Sequence, residues 1–115
     1  MDTRRKIVSP HDAAKVAASG ATVVSGYFDP LLAAHASRLS DLKRKGVPLL
    51  ALIVDPEDPI LPARARAELV AGLAAVDYVA ESSEGLVPHI NLEEEHEALR
   101  NRLIERVHAR QTAEA

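Results

Sequence analysis

Histidine, aspartate and arginine are the side chains of this chain best suited to chemistry, and several fall around one stretch. Ser25-Gly26-Tyr27-Phe28-Asp29-Pro30-Leu31-Leu32-Ala33-Ala34-His35 follows an apolar, β-branched run and leads into helical spacing. A turn of this kind offers a glycine for close backbone approach and free N–H groups at a positive helix end, which together suit a phosphate. His35 in the first helical turns could donate to a phosphoryl oxygen; it could equally be a core histidine bonded to backbone. Asp29 before Pro30 reads as an N-cap with proline at the first helical position, or as a ligand contact. Arg64 and Arg66 open a later helix near the same rim, where either could meet an anion, be solvated, or pair with Asp55, Glu57 or Asp58. His89, Glu93, Glu95 and His96 form a second group, but their spacing matches no standard metal-ligand set, and carboxylates gather at helix starts for dipole reasons alone.

The elements that must position these residues follow from punctuation and periodicity. Ser9-Pro10-His11-Asp12 is a helix start and Gly20 its stop. Residues 21–25 and 49–54 are unbroken apolar or β-branched runs, so they read as strands covered on both faces, and hence as parallel strands between helices. A helix is expected over about 30–45, with Leu31, His35, Leu39 and Leu42 at helical spacing and Lys43-Arg44-Lys45 before Gly46. Another is expected over about 63–75, then a strand at 78–80. Residues 89–92 are either a short fourth strand or an extended lead-in. A final helix is expected over about 92–110, capped by Asn91 with Glu94 at the capping-box position, and 111–115 as a frayed tail. The alternation predicts one α/β domain over 1–115, a small Rossmann-like three-layer α/β/α fold with a parallel sheet of three to five strands.

Composition excludes several classes. Of 115 residues, 47% are hydrophobic but only 3% aromatic, so the core is aliphatic, and the net charge of −3 carries no basic excess. Without a basic face or aromatic platforms, nucleic acid is not an expected partner. With no cysteine there is no disulfide, thiolate metal site or cysteine nucleophile. The longest apolar run, 47–54, contains Pro48 and is too short to span a bilayer, so no membrane association is expected. The charged N-terminus lacks the apolar core of a signal peptide, and a cytoplasmic location is the expectation.

Gly26-Tyr27-Phe28-Asp29 followed by His35 resembles the nucleotidyltransferase superfamily of cytidylyltransferase type, whose signature is Gly-x-Phe-Asp, two residues, then His-x-Gly-His. Flanking segments are similar to its heptose-1-phosphate adenylyltransferase branch: Lys6-Ile7-Val8-Ser9 before the first strand, Arg66-Ala67-Glu68-Leu69-Val70, and Leu73-Ala74-Ala75-Val76-Asp77-Tyr78-Val79. The resemblance implies that the motif histidines contact nucleotide phosphates and stabilise charge during attack on the α-phosphate. Here Leu32 stands at the first histidine and Ala34 at the glycine, while Gly26, Phe28, Asp29 and the second histidine, His35, are retained. The family's later Ser/Thr-rich, arginine-bearing triphosphate segment is represented only by Ser82-Ser83 and an acidic helix start at Glu93-Glu94-Glu95.

Losing one preorganised donor to a transition state typically costs ~10²–10³ in rate. The expectation is therefore a degenerate nucleotidyltransferase-like domain that lacks efficient transfer and retains a weak nucleotide or phosphate site. Its candidate residues are Gly26, Tyr27, Phe28, Asp29, His35 and Arg66, with His35 the catalytic candidate, no resident metal, and Mg2+ only with a bound nucleoside triphosphate. The alternatives are an active adenylyl- or cytidylyltransferase on a sugar or polyol phosphate, and a structural interaction module. A homodimer is conceivable through the heptad-like Leu92, His96, Leu99, Leu103 and Val107.

Overall fold

A computed structural model describes the backbone of residues 2–82 and 85–114 and the side chains of 2–82 and 85–107. After a 3-10 turn, Thr3–Lys6, the elements are α1 (Pro10–Ala18), β1 (Thr22–Gly26), α2 (Ala33–Leu42), β2 (Leu49–Ile53), α3 (Ala63–Ala71), β3 (Tyr78–Ala80), β4 (Ile90–Asn91) and α4 (Glu93–Glu114). The four strands form one sheet in the order β3-β2-β1-β4, and every pair is parallel. This is the small Rossmann-like α/β/α fold expected from the alternation.

The unbroken apolar strands divide their side chains between two faces. Val24, Leu49, Ala51 and Ile53 join Leu39 of α2 and Ala67, Val70 and Ala71 of α3 in one core. Val23, Leu50 and Leu52 join Ala13 of α1 in the other, with Val16 alongside. A residue-by-residue alternation in which both sets are buried is what a sheet covered on two faces requires. Local signals hold at several ends. Ser9 Oγ accepts the Asp12 N–H at 3.1 Å with Pro10 next in line, and Gly20 leaves α1 with φ 104°.

Other boundaries shift. α2 starts at Ala33 with Leu32 as its N-cap, not at Asp29-Pro30, and it stops at Leu42. α3 ends at Ala71 rather than 75. The short fourth strand exists, its register set by Val24 opposite Ile90 and Ser25 opposite Asn91. α4 continues to Glu114, so the helix runs through 111–114, where a frayed tail was expected. Among the described residues no helix is long and apolar enough to cross a membrane.

At the amino end of the sheet, Asp77 ties α2 to β2. Its carboxylate accepts from Lys43 Nζ at 2.6 Å and from the Leu49 N–H at 2.8 Å. Burial pushes this carboxyl up, but the Lys43 ammonium and the Leu49 amide outweigh it and hold the group below its usual 3.8. A depressed carboxyl stabilises the fold above its unfolded pKa, and that contribution disappears as pH falls through the folded value. Both side chains remain partly in water, at 30% and 38% exposure, so screening discounts the pair. Asp77→Asn is expected to lose about 1 kcal/mol at pH 7 and progressively less as pH falls below 3.8, read from urea midpoints across that range.

Candidate functional site

The sheet order reverses between β1 and β4, and ligands of open parallel sheets sit beyond the carboxyl ends of the strands at such a point. Here those ends are the Ser25-Gly26-Tyr27-Phe28 turn and the Asn91-Leu92-Glu93 start of α4. Phe28 adopts φ 48°, in the left-handed region, and the successive N–H groups of Tyr27 and Phe28 converge on one acceptor. Convergent backbone amides of this kind commonly hold an anion.

The acceptor is His96 of α4. Its Nδ1 receives the Tyr27 N–H at 3.0 Å and the Phe28 N–H at 3.2 Å. The ring lies so close to Gly26 that a Cβ there would come within 2.3 Å of His96 Cε1 and 2.9 Å of the Phe28 ring. Gly26 is thus required by the approach of a side chain from α4. His35 is the second imidazole. Standing at the third position of α2, its Nδ1 accepts the Leu32 N–H at 3.0 Å and satisfies a donor the helix start leaves free.

With both Nδ1 atoms accepting, each neutral ring carries its proton on Nε2. The ring centroids are 4.1 Å apart, and Phe28 presses its ring against each. Among the described residues both Nε2 atoms are buried without a hydrogen-bond partner, an arrangement that costs roughly 1–3 kcal/mol per group. His35 and His96 are 2% and 3% exposed. Burial, and for His96 also the neighbouring His35, lowers their pKa values; His96 is pushed down to about 3, while Glu95 partly offsets the shift at His35. Both rings are therefore neutral at physiological pH.

Beside them, between α2 and α4, lies an open crevice of about 330 Å³. Ala34, His35 and Arg38 line it from α2, and Glu95, His96 and Arg102 from α4. Arg38 Nε reaches the Glu95 carboxylate at 3.4 Å, leaving two guanidinium groups against one carboxylate. The volume is at the lower end of the range typical of small-molecule sites. Imidazole N–H groups and arginines are donors suited to a phosphoryl or carboxylate group.

The remaining candidates serve the frame. The Asp29 carboxylate accepts the N–H groups of Ile60 at 2.7 Å and Leu61 at 2.8 Å, so it caps the 55–62 loop rather than α2. Arg66, 1% exposed, is neither solvated nor turned to the crevice. Its Nε donates to the Leu61 carbonyl, its Nη1 to those of Tyr27 and Val54, and its Nη2 to the Asp55 carboxylate. The pairing with Asp55 is as anticipated; engagement on every side leaves no free edge of the guanidinium for a nucleotide. Arg64 is half exposed and pairs with Glu68 at 3.3 Å. Leu32 spends its N–H on His35, and Ala34 lines the crevice.

Of the second sequence group, His89 Nδ1 accepts the Val23 N–H at 3.0 Å and the Glu93 carboxylate accepts from Ser25 Oγ at 3.0 Å. Asn91 Oδ1 receives the Glu93 N–H at 3.0 Å, but α4 begins at Glu93, so Asn91 lies one residue ahead of the cap position expected of it. Ser83 lies outside the described residues. The structure thus brings together His35, Tyr27, Phe28 and Gly26, and adds three residues the sequence reading did not place in the site: His96, Arg38 and Arg102. A histidine on the stripe of Leu92, Leu99 and Leu103 was the signal for the first, since a polar side chain at a core position needs a partner. The arginines left no signal, because helix surfaces carry such charges routinely.

No protein-family model and no curated protein matches this chain.

Proposed function

We propose that this chain is a degenerate nucleotidyltransferase-like domain that binds a phosphate-bearing small molecule, a nucleotide or a sugar phosphate, in the α2–α4 crevice without efficient nucleotidyl transfer. The observation that carries the reading is the imidazole pair. His35 and His96 place two buried, unpartnered Nε2–H donors beside a crevice that also holds Arg38 and Arg102. A small turn of the rings would let a phosphoryl oxygen accept from them and relieve their unsatisfied state.

The same geometry argues against rapid transfer. Stabilising the charge that develops on an α-phosphate needs preorganised donors. Leu32 supplies no side-chain donor, and the Tyr27 and Phe28 amides are spent on His96. A resident Mg2+ does not fit either. Asp29 is occupied by two amides, Glu93 by Ser25 and Glu95 by Arg38, and among the described residues no three acidic or histidine side chains form a metal site. Any Mg2+ would arrive on the nucleotide's own phosphates.

Calorimetry with ATP, CTP and a sugar 1-phosphate, each with and without Mg2+, tests the binding half. Binding of at least one is expected, weakened roughly tenfold in Arg102→Ala by loss of a charged hydrogen bond. Silence from all three ligands overturns it. Pyrophosphate release above background that disappears in His35→Ala would overturn the inactive half and establish a working transferase.

A further inference from the structure

The Tyr27 and Phe28 amides have the arrangement of an anion cradle, yet a neutral ring of the same chain fills it. His96 Nδ1 presents a single lone pair to both N–H groups, much as an anionic oxygen would. The space left by the absent side chain of Gly26 is taken up by the same ring. Among the described residues neither its Nε2 nor that of His35 makes a hydrogen bond. Among the described residues His96 is therefore hydrogen-bonded on one edge only, by the two amides that a ligand would use.

We propose that His96 is an internal plug of an anion subsite formed by the Tyr27 and Phe28 N–H groups, and that an anion enters this subsite only as His96 swings into the crevice and takes up a proton. The inference rests on reading the crevice as a phosphate site and adds the coupling that governs it. A proton on Nδ1 would turn the acceptor into a third donor facing two others, so a protonated ring cannot stay in place.

The groups facing the ring set the balance. His35 and Arg38 of α2, and Glu95 and Arg102 of α4, line the crevice with it. Glu93 is held by Ser25 of β1, Arg66 reaches the Tyr27 carbonyl from α3, and Asp29 is turned to the 60–61 amides. Glu95 would favour an imidazolium in the crevice and the arginines would oppose it, until an arriving anion offsets their charge. Burial, which pushes the ring down to about 3, keeps the plug closed at neutral pH when no anion is present.

Inorganic sulfate is the suitable probe, because it does not titrate over the range needed. Sulfate titrations of the intact chain at pH 7.5, 6.5 and 5.5, followed by backbone amide NMR, read affinity and place of binding together. Affinity is expected to rise as pH falls, by up to about tenfold per pH unit for one coupled proton, with the Tyr27 and Phe28 amides shifting on binding. His96→Gln keeps an acceptor for the two amides but cannot titrate, so binding there should lose its pH dependence. His35 is unchanged in that variant, so a slope that persists arises from a group other than His96 and overturns the plug. Sulfate binding that perturbs Arg38 and Arg102 but leaves the Tyr27 and Phe28 amides still also overturns the plug while sparing the crevice. No binding to either protein at any pH removes the plug and the crevice site together.

Discussion

Arg66→Met is expected to destabilise the domain by about 3–5 kcal/mol, because three backbone carbonyls lose the buried guanidinium that donates to them. The guanidinium holds the carbonyls at the ends of two strands and of one loop, Tyr27 after β1, Val54 after β2 and Leu61 before α3. A methionine of similar length fills the space but strands three carbonyl oxygens, and each unsatisfied buried acceptor costs roughly 1–3 kcal/mol. Lysine is no substitute, since one ammonium cannot reproduce the planar fork. The measurement is the urea midpoint of Arg66→Met against Arg64→Ala. The latter removes a half-exposed pair and should change stability by less than about 0.5 kcal/mol. Equal, small effects in both would show that Arg66 does not clamp the turn.

The second large effect is acid lability. His96 is neutral in the fold, with its pKa pushed down to about 3 by burial and by His35, while the unfolded chain protonates near 6.5. Below about pH 6.5 the unfolded state therefore binds the extra proton, and stability falls with pH until the folded value is reached. One such group loses about 1.4 kcal/mol per pH unit, or roughly 3 kcal/mol by pH 4.5. His35, lowered by burial, adds to the same slope. Asp77 contributes only at lower pH, where its own carboxyl protonates. Urea melts at pH 7.5, 6, 5 and 4.5 should show this decline, and His96→Gln should flatten it in part. Stability that holds constant down to pH 5 would mean that His96 already carries its charge in the fold.

The two effects separate two kinds of information in the chain. β1 and β2 were legible because a strand covered on both faces leaves a continuous apolar run, and residues 22–26 and 49–53 are such runs. α1 was legible because Ser9, Pro10 and Gly20 mark its ends by local rules. The resemblance carried by Gly26, Phe28, Asp29 and His35 drew attention to the turn after β1. It could not show what those residues touch. Asp29 illustrates the limit: by local capping logic it belongs to α2, yet its carboxylate turns to amides at Ile60 and Leu61. Such a choice depends on which donors the folded chain brings near, and spacing in sequence carries no record of it.

From the sequence alone came the alternation of strands and helices, hence the layered α/β fold, and the position of the turn after the first strand. Both follow from burial and from local backbone preference, which act through neighbouring residues. The tertiary structure alone decided the strand order β3-β2-β1-β4, the conversion of Arg66 from a rim charge to a buried clamp, and the arrival of His96 against Gly26. These depend on contacts between residues far apart in the chain, 39 positions in the case of Arg66 and Tyr27. The turn reads in sequence as an open cradle; the fold fills it with a histidine from its last helix.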